Sequence, residues 1–201
     1  MSYTNPELEK EIHGLFNNKA EGFFVDIGAH NGLSLSNTKF LEEIGWDGIC
    51  IEPHPNVYRQ LIQNRNCKCV NCAVWNEDTQ IDFLSLTGYT EMLSGIIESY
   101  DSRHYRRIQS ELSSYGGQSE IIKIDAKKFE NIVEKTEIDF LSIDTEGSEL
   151  QILERIDFEK YKIDVICIEN NFFEDKFHQF MNSKGYNFHK NVYIDFLYVR
   201  R

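Results

Sequence analysis

The stretch Phe23-Phe24-Val25-Asp26-Ile27-Gly28-Ala29-His30-Asn31-Gly32 constrains the fold more than any other part of this sequence. Its first five residues form a short, near-continuous apolar run, the pattern of a strand buried on both faces in a parallel sheet. Gly28 supplies a tight turn, and Gly32 is expected to let a following helix start close to a ligand. The alternation then repeats. Residues 34–44 read as a helix with Phe40, Leu41 and Ile44 inward, stopped by Gly45. Residues 48–51 read as a strand, 55–63 as a helix, 68–74 as a strand, and 81–84 as a short strand or hairpin arm. Further on, 138–143 and 164–168 read as strands, each followed by a helix, at 148–153 and 173–183. Residues 186–189 and 192–199 close the chain as an antiparallel pair. Ahead of the first strand, Pro6 opens an amphipathic helix with Leu8, Ile12, Leu15 and Phe16 at helical spacing. Strands alternating with helices predict an α/β fold with a mostly parallel central sheet, helices on both faces and an antiparallel C-terminal edge.

The length, 201 residues, suits a single domain over the whole chain. The pattern lapses at residues 85–118, a stretch rich in Ser, Tyr and Gly that carries Arg103-His104-Tyr105-Arg106-Arg107. An excursion of this kind reads as a lid over a substrate site. A net charge of -12 excludes general attraction to nucleic acids or anionic membranes. The start of the chain lacks a signal-peptide pattern and no apolar run is long enough to span a bilayer, so a cytoplasmic protein is expected. Five cysteines, an odd number in mostly strand-like surroundings, read as reduced thiols. Cys67-x-Cys69-x-x-Cys72 raises a zinc reading. With no fourth ligand close by, structural thiols are the better account.

In parallel sheets, ligands sit beyond the carboxyl ends of the strands. There Glu52 can accept both hydroxyls of a ribose, or cap the helix starting near Pro55. Cys72 and Ala73 are small enough to admit a flat base. The glycines are spaced Asp-x-Gly-x-x-x-Gly and do not form G-x-G-x-x-G, which disfavours a nicotinamide dinucleotide. The spacing suits a phosphate-free cofactor whose cationic methionine end meets an acid, Asp26. Gly28→Val is expected to block such a ligand while keeping the fold.

Taken together, VDIGAHNG, IEPHP, NCAVW and FLSIDTEGSELQIL resemble the FkbM-type S-adenosylmethionine-dependent methyltransferases, over about residues 23–170. The resemblance implies a class I Rossmann-like methyltransferase fold, S-adenosylmethionine as cofactor, and O-methylation of a sugar, glycan or small natural product. By position it implies that Asp26, Gly28, Ala29 and Gly32 surround the methionine part, Glu52 the ribose, and Cys72 with Ala73 the adenine edge. His30, Asn31 and Pro53 complete the cofactor-binding set, and Asp144 lies near where the methyl group points. Two departures stand out: Ser142 replaces a common Lys, and His30 replaces a usual Asn.

Asp144, at the end of a strand, can orient or deprotonate an acceptor hydroxyl, with in-line positioning as the larger effect. Glu146 and His104 are further acid–base candidates. Glu149 sits at a helix start, where an acid favours the dipole, and His13, His178 and His189 read as structural. Asp144, Glu169 and Asn170 form a hard-ligand set for Mg²⁺ or another divalent metal; the competing reading has Glu169 and Asn170 bonding substrate or capping the helix near 173. Two other functions stay open, an NAD-type oxidoreductase and a non-catalytic Rossmann-like interaction protein. The expected partner is a small-molecule or glycan acceptor, with no prediction of oligomeric state.

Overall fold

The computed structural model describes residues 3–17 and 19–201. Helix α1 (Pro6–Leu15) precedes β1 (Phe23–Ile27), α2 (Lys39–Glu43), β2 (Asp47–Ile51), α3 (Pro55–Asn64) and β3 (Lys68–Val70). Next come β4 (Ala73–Val74), β5 (Thr79–Leu86), β6 (Gly95–Ile96), α4 (Ser102–Tyr115) and β7 (Ser119–Lys127). The chain finishes with α5 (Phe129–Ile132), β8 (Glu137–Ile143), α6 (Glu149–Arg155), β9 (Lys162–Glu169), α7 (Asp175–Ser183), β10 (Tyr186–Val192) and β11 (Asp195–Arg200).

Seven strands form the main sheet in the order β10-β11-β9-β8-β1-β2-β3. The stretch from β9 to β3 is parallel, and β11 runs antiparallel to both β9 and β10. The order of connections reverses between β1 and β8, and the crevice that opens there at the carboxyl ends is where an open α/β sheet binds ligands. Strand alternation sends the two sets of side chains to opposite faces. Phe24, Cys50, Phe140 and Cys167 pack with Leu8, Ile12, Phe40, Leu41 and Leu61 of the first three helices. Val25, Ile27, Leu141, Ile143 and Ile166 pack with Phe129, Ile152, Leu153, Phe177 and Met181 from α5–α7. Both faces are therefore covered, as the alternation predicts.

Three sequence expectations change. Residues 68–74 do not form one strand: β3 ends at Val70, the chain crosses at Asn71 and Cys72, and β4 joins a second sheet, ordered β4-β7-β5-β6. Residues 81–84 belong to the longer β5, paired antiparallel with β7 from Thr79↔Ala126 to Leu86↔Ser119. This ladder frames the 85–118 excursion, which contains two 3₁₀ turns, Gly88–Leu93 and Ile97–Ser99, as well as β6 and α4. The helix expected over 34–44 shrinks to α2, because polar side chains hold the chain before it in turns. Asn31 Oδ1 accepts from the Leu33 and Ser34 amides at 3.0 and 2.9 Å, and Ser36 Oγ accepts from Lys39 N–H at 3.1 Å. Among the described residues no helix is long and apolar enough to cross a membrane.

Candidate active site

A cleft of about 300 Å³ opens at the carboxyl ends of β1, β2 and β8. At one side stands Glu52, buried directly after β2. Its Oε2 accepts the His30 N–H at 2.9 Å and its Oε1 the His54 N–H at 2.7 Å. The Glu52 carbonyl accepts from Asn71 Nδ2 at 2.7 Å, which pins the strand end to the crossing segment. Burial pushes the Glu52 carboxyl up to about 7, outweighing the two amide donors. Each carboxylate oxygen keeps acceptor capacity for one more donor. Ile51, Val57, Cys72, Ala73, Val74 and Phe83 line the apolar wall beside it.

His54 fixes this corner. Its Nδ1 accepts from Asn56 N–H at 3.2 Å, so Nε2 carries the proton and donates to Ser85 Oγ at 3.0 Å. The second sheet is thereby attached to the start of α3.

The β1 turn is built around Gly28, with φ +85°. A Cβ there would lie 1.7 Å from the Asp144 carbonyl oxygen. The glycine therefore permits β1 and β8 to approach at their ends, and a side chain would collide with backbone. The expectation that Gly28→Val keeps the fold is corrected accordingly. Ala29 and His30 line the cleft, and His30 Nε2 lies 3.6 Å from Glu91 Oε1. Asn31 and Gly32 do not line it. Asn31 closes its turn, and a Cβ on Gly32 would meet Leu61 and Arg65 at 2.6 and 2.7 Å. That glycine serves packing against α3, and no helix starts at it.

Asp26 is buried and lines the cleft. Thr38 Oγ1 donates to its Oδ2 at 2.5 Å, and Arg65 Nη1 lies 3.9 Å away. Burial raises its carboxyl, with Arg65 and Thr38 opposing. The Arg65 side chain is fully buried; it donates to Glu42 Oε2 at 2.7 Å and to Thr38 Oγ1 at 3.0 Å.

The opposite end of the cleft is acidic. Asp144, half-buried just after β8, is pushed up to about 7 by desolvation and by the Asp195 and Glu149 carboxylates. Glu146 and Glu169 are driven well above their ordinary values by burial and by Asp144. Glu146 holds a left-handed φ of +58°. The loop that carries it is tied by Glu149, whose Oε1 accepts from Thr145 N–H, Thr145 Oγ1 and Gly147 N–H at 2.9–3.0 Å. Glu149 thus staples the loop, a larger role than a charge at a helix start.

Asn170 departs from the expected metal set. Its Oδ1 accepts the Glu174 N–H at 2.9 Å and its Nδ2 donates to the Glu174 carbonyl at 3.2 Å, so the side chain fastens the approach to α7. Glu146 takes its place beside Asp144 and Glu169. His104 does not line the main cleft. It is buried on α4, stacked on Tyr100 at 4.6 Å, with Nδ1 3.5 Å from Glu146 Oε2. It faces a second cavity of about 320 Å³, which shares Glu169 with the first. The basic run of α4 disperses: Arg103 bonds Glu174 at 2.8 Å, Arg106 bonds the Ser102 carbonyl at 3.1 Å, and Arg107 alone reaches the cleft, 3.6 Å from Glu146.

Several lining residues escaped the sequence reading. Asp195, raised to about 6 by burial, reaches the cleft from the start of β11, and Asn37 bridges it to Ser142 at 3.5 and 3.4 Å. Glu91 comes from the excursion, and so does Arg107, which belongs to the basic run that the sequence places in the lid. The cysteines follow the structural-thiol reading: all five are free, Cys72 lines the cleft, and Cys67 packs against Cys50 with sulfurs 3.5 Å apart.

The sheet order and the cleft at its reversal point define a Rossmann-like α/β protein. Residues 26–190 match the Methyltransferase FkbM domain, and the chain belongs to that family. Among solved structures, methyltransferase FkbM from Methylobacillus flagellatus KT superposes with a TM-score of 0.52 over 97% of this chain at 15% identity. The chain spans 50% of that protein's length. A TehB-like SAM-dependent methyltransferase from Corynebacterium glutamicum ATCC 13032 gives 0.50 over 96% of this chain and 88% of its own, at 11% identity. At such identities the likeness is one of fold. No curated protein matches the chain.

Proposed function

We propose that the chain is a methyltransferase that moves the methyl group of S-adenosylmethionine onto a hydroxyl of a sugar, glycan or small natural product. The observation that carries this reading is Glu52: a buried carboxylate gripped by two backbone amides, beside an apolar wall, with acceptor capacity left on both oxygens. A ribose diol matches that capacity, and the adenine then lies along Cys72, Ala73 and Phe83. The methionine end runs over Gly28 towards Asp26 and Asp144, where carboxylates suit its ammonium and sulfonium charges. The family membership supports the same reaction class.

The acceptor oxygen attacks the methyl carbon in line with the departing sulfur. The C–S bond breaks, its electron pair stays on sulfur to give S-adenosylhomocysteine, and the hydroxyl proton passes to a carboxylate at the acidic end of the cleft, the role we assign to Asp144. The chain's main contribution is alignment. Residues 1–201 act as one domain, and residues 85–118 cover the cleft through Glu91, Met92, Gly95 and Arg107. The net charge of -12 favours a small acceptor over nucleic acid or an anionic membrane.

Calorimetry with S-adenosylhomocysteine and with NAD tests the donor; methyl-labelled S-adenosylmethionine with a panel of polyols tests the acceptor. Binding of S-adenosylhomocysteine alone and label in an alkali-stable methyl ether are expected. Binding of NAD without S-adenosylhomocysteine would overturn the reading.

A further inference from the structure

We propose that Asp144, Glu146 and Glu169 form a binding site for a divalent cation of the Mg²⁺ or Mn²⁺ type, placed where the cleft meets the second cavity. One carboxylate oxygen from each residue lies within 4.8 Å of the other two. A cation about 2.0–2.6 Å from each oxygen spans that spacing, and three carboxylates are the hard ligands such ions take.

The carboxylates alone do not make a site; the atoms around them do. Glu169 is 6% exposed; its carboxyl faces that of Asp144 within hydrogen-bonding reach, and its Oε2 is otherwise without a partner among the described residues. Glu146 Oε2 is likewise buried without one, although Arg107 and His104 stand 3.6 and 3.5 Å away. On the far side His104, 2% exposed, lines the second cavity, with Nδ1 turned to Glu146 and the Leu93 backbone within hydrogen-bonding reach. Buried polar groups are rarely left this way unless something occupies the space between them. Asp195 and Glu149 lie near the three acids, and Arg107, which Glu111 also engages at 2.9 Å, stands against them. Water occupies such a space through hydrogen bonds, whereas a divalent cation takes the three acidic oxygens as ligands and displaces any proton they hold.

Glu169 lines both cavities, so the ion would stand between the cleft proposed for the donor and the second cavity. Its open positions would hold two adjacent oxygens of an acceptor beside the methyl group and lower the pKa of the one that reacts. That acceptor role rests on the methyltransferase reading; the cation site itself does not.

The test is a Mn²⁺ titration of the full chain followed by electron paramagnetic resonance, with and without S-adenosylhomocysteine. One Mn²⁺ per chain, displaced by Mg²⁺, is expected. Glu169→Gln, Glu146→Gln and Asp144→Asn should each weaken it at least tenfold. Glu91→Gln, an acid elsewhere in the cleft, should change it less than twofold, with thermal melts confirming the fold of each variant. Absence of Mn²⁺ binding at millimolar concentration in the parent chain would overturn the site, as would equal binding by all folded variants. Calorimetry with S-adenosylhomocysteine on the same samples separates the two ideas: a chain that binds Mn²⁺ but not this ligand refutes the donor reading and leaves the cation site standing.

Discussion

Glu52→Gln tests the donor half of the proposal with a change of one atom. In the parent chain the two oxygens accept the His30 and His54 amides at 2.9 and 2.7 Å and retain room for two hydroxyls. Glutamine keeps one acceptor and turns the other into an NH₂ facing an amide and a hydroxyl that both need to donate. Loss of charge assistance together with one unmade buried bond costs about 2–3 kcal/mol. That corresponds to about 30- to 160-fold weaker binding of S-adenosylhomocysteine. The pH dependence gives a second reading. Glu52 titrates at about 7 in the free protein, and ribose hydroxyls donate to the ionised form. Affinity is therefore full above pH 7 and falls below it, by about tenfold between pH 8 and pH 6. Of the groups facing Glu52, Asp26 and Glu91 contribute to its raised value. His30 and His54 are pushed below their ordinary 6.5 by burial, so their charging comes later on the acid side. Calorimetry at several pH values measures both effects, and the variant should lose the part of the pH dependence that Glu52 supplies, leaving that of Asp144 and Asp26. Equal affinity in parent and variant, with the same pH profile, would refute the role given to Glu52.

Gly28→Ala should cost more than about 4 kcal/mol, because its Cβ falls 1.7 Å from a backbone oxygen; a melting midpoint within 2 °C of the parent would contradict the close approach of β1 and β8. Arg65→Met removes the guanidinium from Glu42, which keeps Lys39, and from the buried Asp26, which keeps Thr38, and should lower stability by about 2–3 kcal/mol in urea unfolding. Burial raises the Glu42 carboxyl, but its bonds to Arg65 and Lys39 prevail and hold it at about 2. Its contribution is thus complete above 4.5 and lost as pH falls towards 2, visible as a falling midpoint in acid. Glu149→Ala releases three donors of the Thr145–Gly147 loop and should reduce methyl transfer far more than S-adenosylhomocysteine affinity. Glu149→Gln, which keeps an acceptor oxygen, should recover most of the rate.

The apolar strands β1, β2, β8 and β9 were legible because burial on both faces leaves an uninterrupted hydrophobic run. Their ends located Asp26, Glu52, Asp144 and Glu169 without knowledge of any contact. The break after Val70 was not legible, since a run of small and apolar residues does not say which neighbour a strand pairs with. Strand β7 left a signal that went unread: Ile122, Ile124 and Ala126 alternate at a period of two, masked by the exposed Ile121. Residues 34–38 look helical by composition, but Asn31 and Ser36 offer the backbone nearer partners, and Leu35 takes φ +58°. Asp195 reaches the cleft only through tertiary placement, so nothing local marks it, and the basic run marks Arg107 without telling it from Arg103 and Arg106. Asn170 misled for the converse reason: the strand end was right, but its side chain turned to the next helix.

The crossing at Asn71 and Cys72 makes the apolar wall of the cleft joint property of two sheets. Ile51 comes from one, and Ala73, Val74 and Phe83 come from the other. A planar ligand lodged there touches both, at a corner where the sheets also meet through Asn71, the His54–Ser85 bond, the edge-on packing of Phe83 against His54 and the burial of Val74 in the main core. Such a ligand acts as a removable cross-link: it binds well only while both sheets are in place, so its binding free energy is also cohesion between them. On the proposed donor reading, the second sheet, with the excursion it frames, would then be tightened by a molecule that most of its residues never contact.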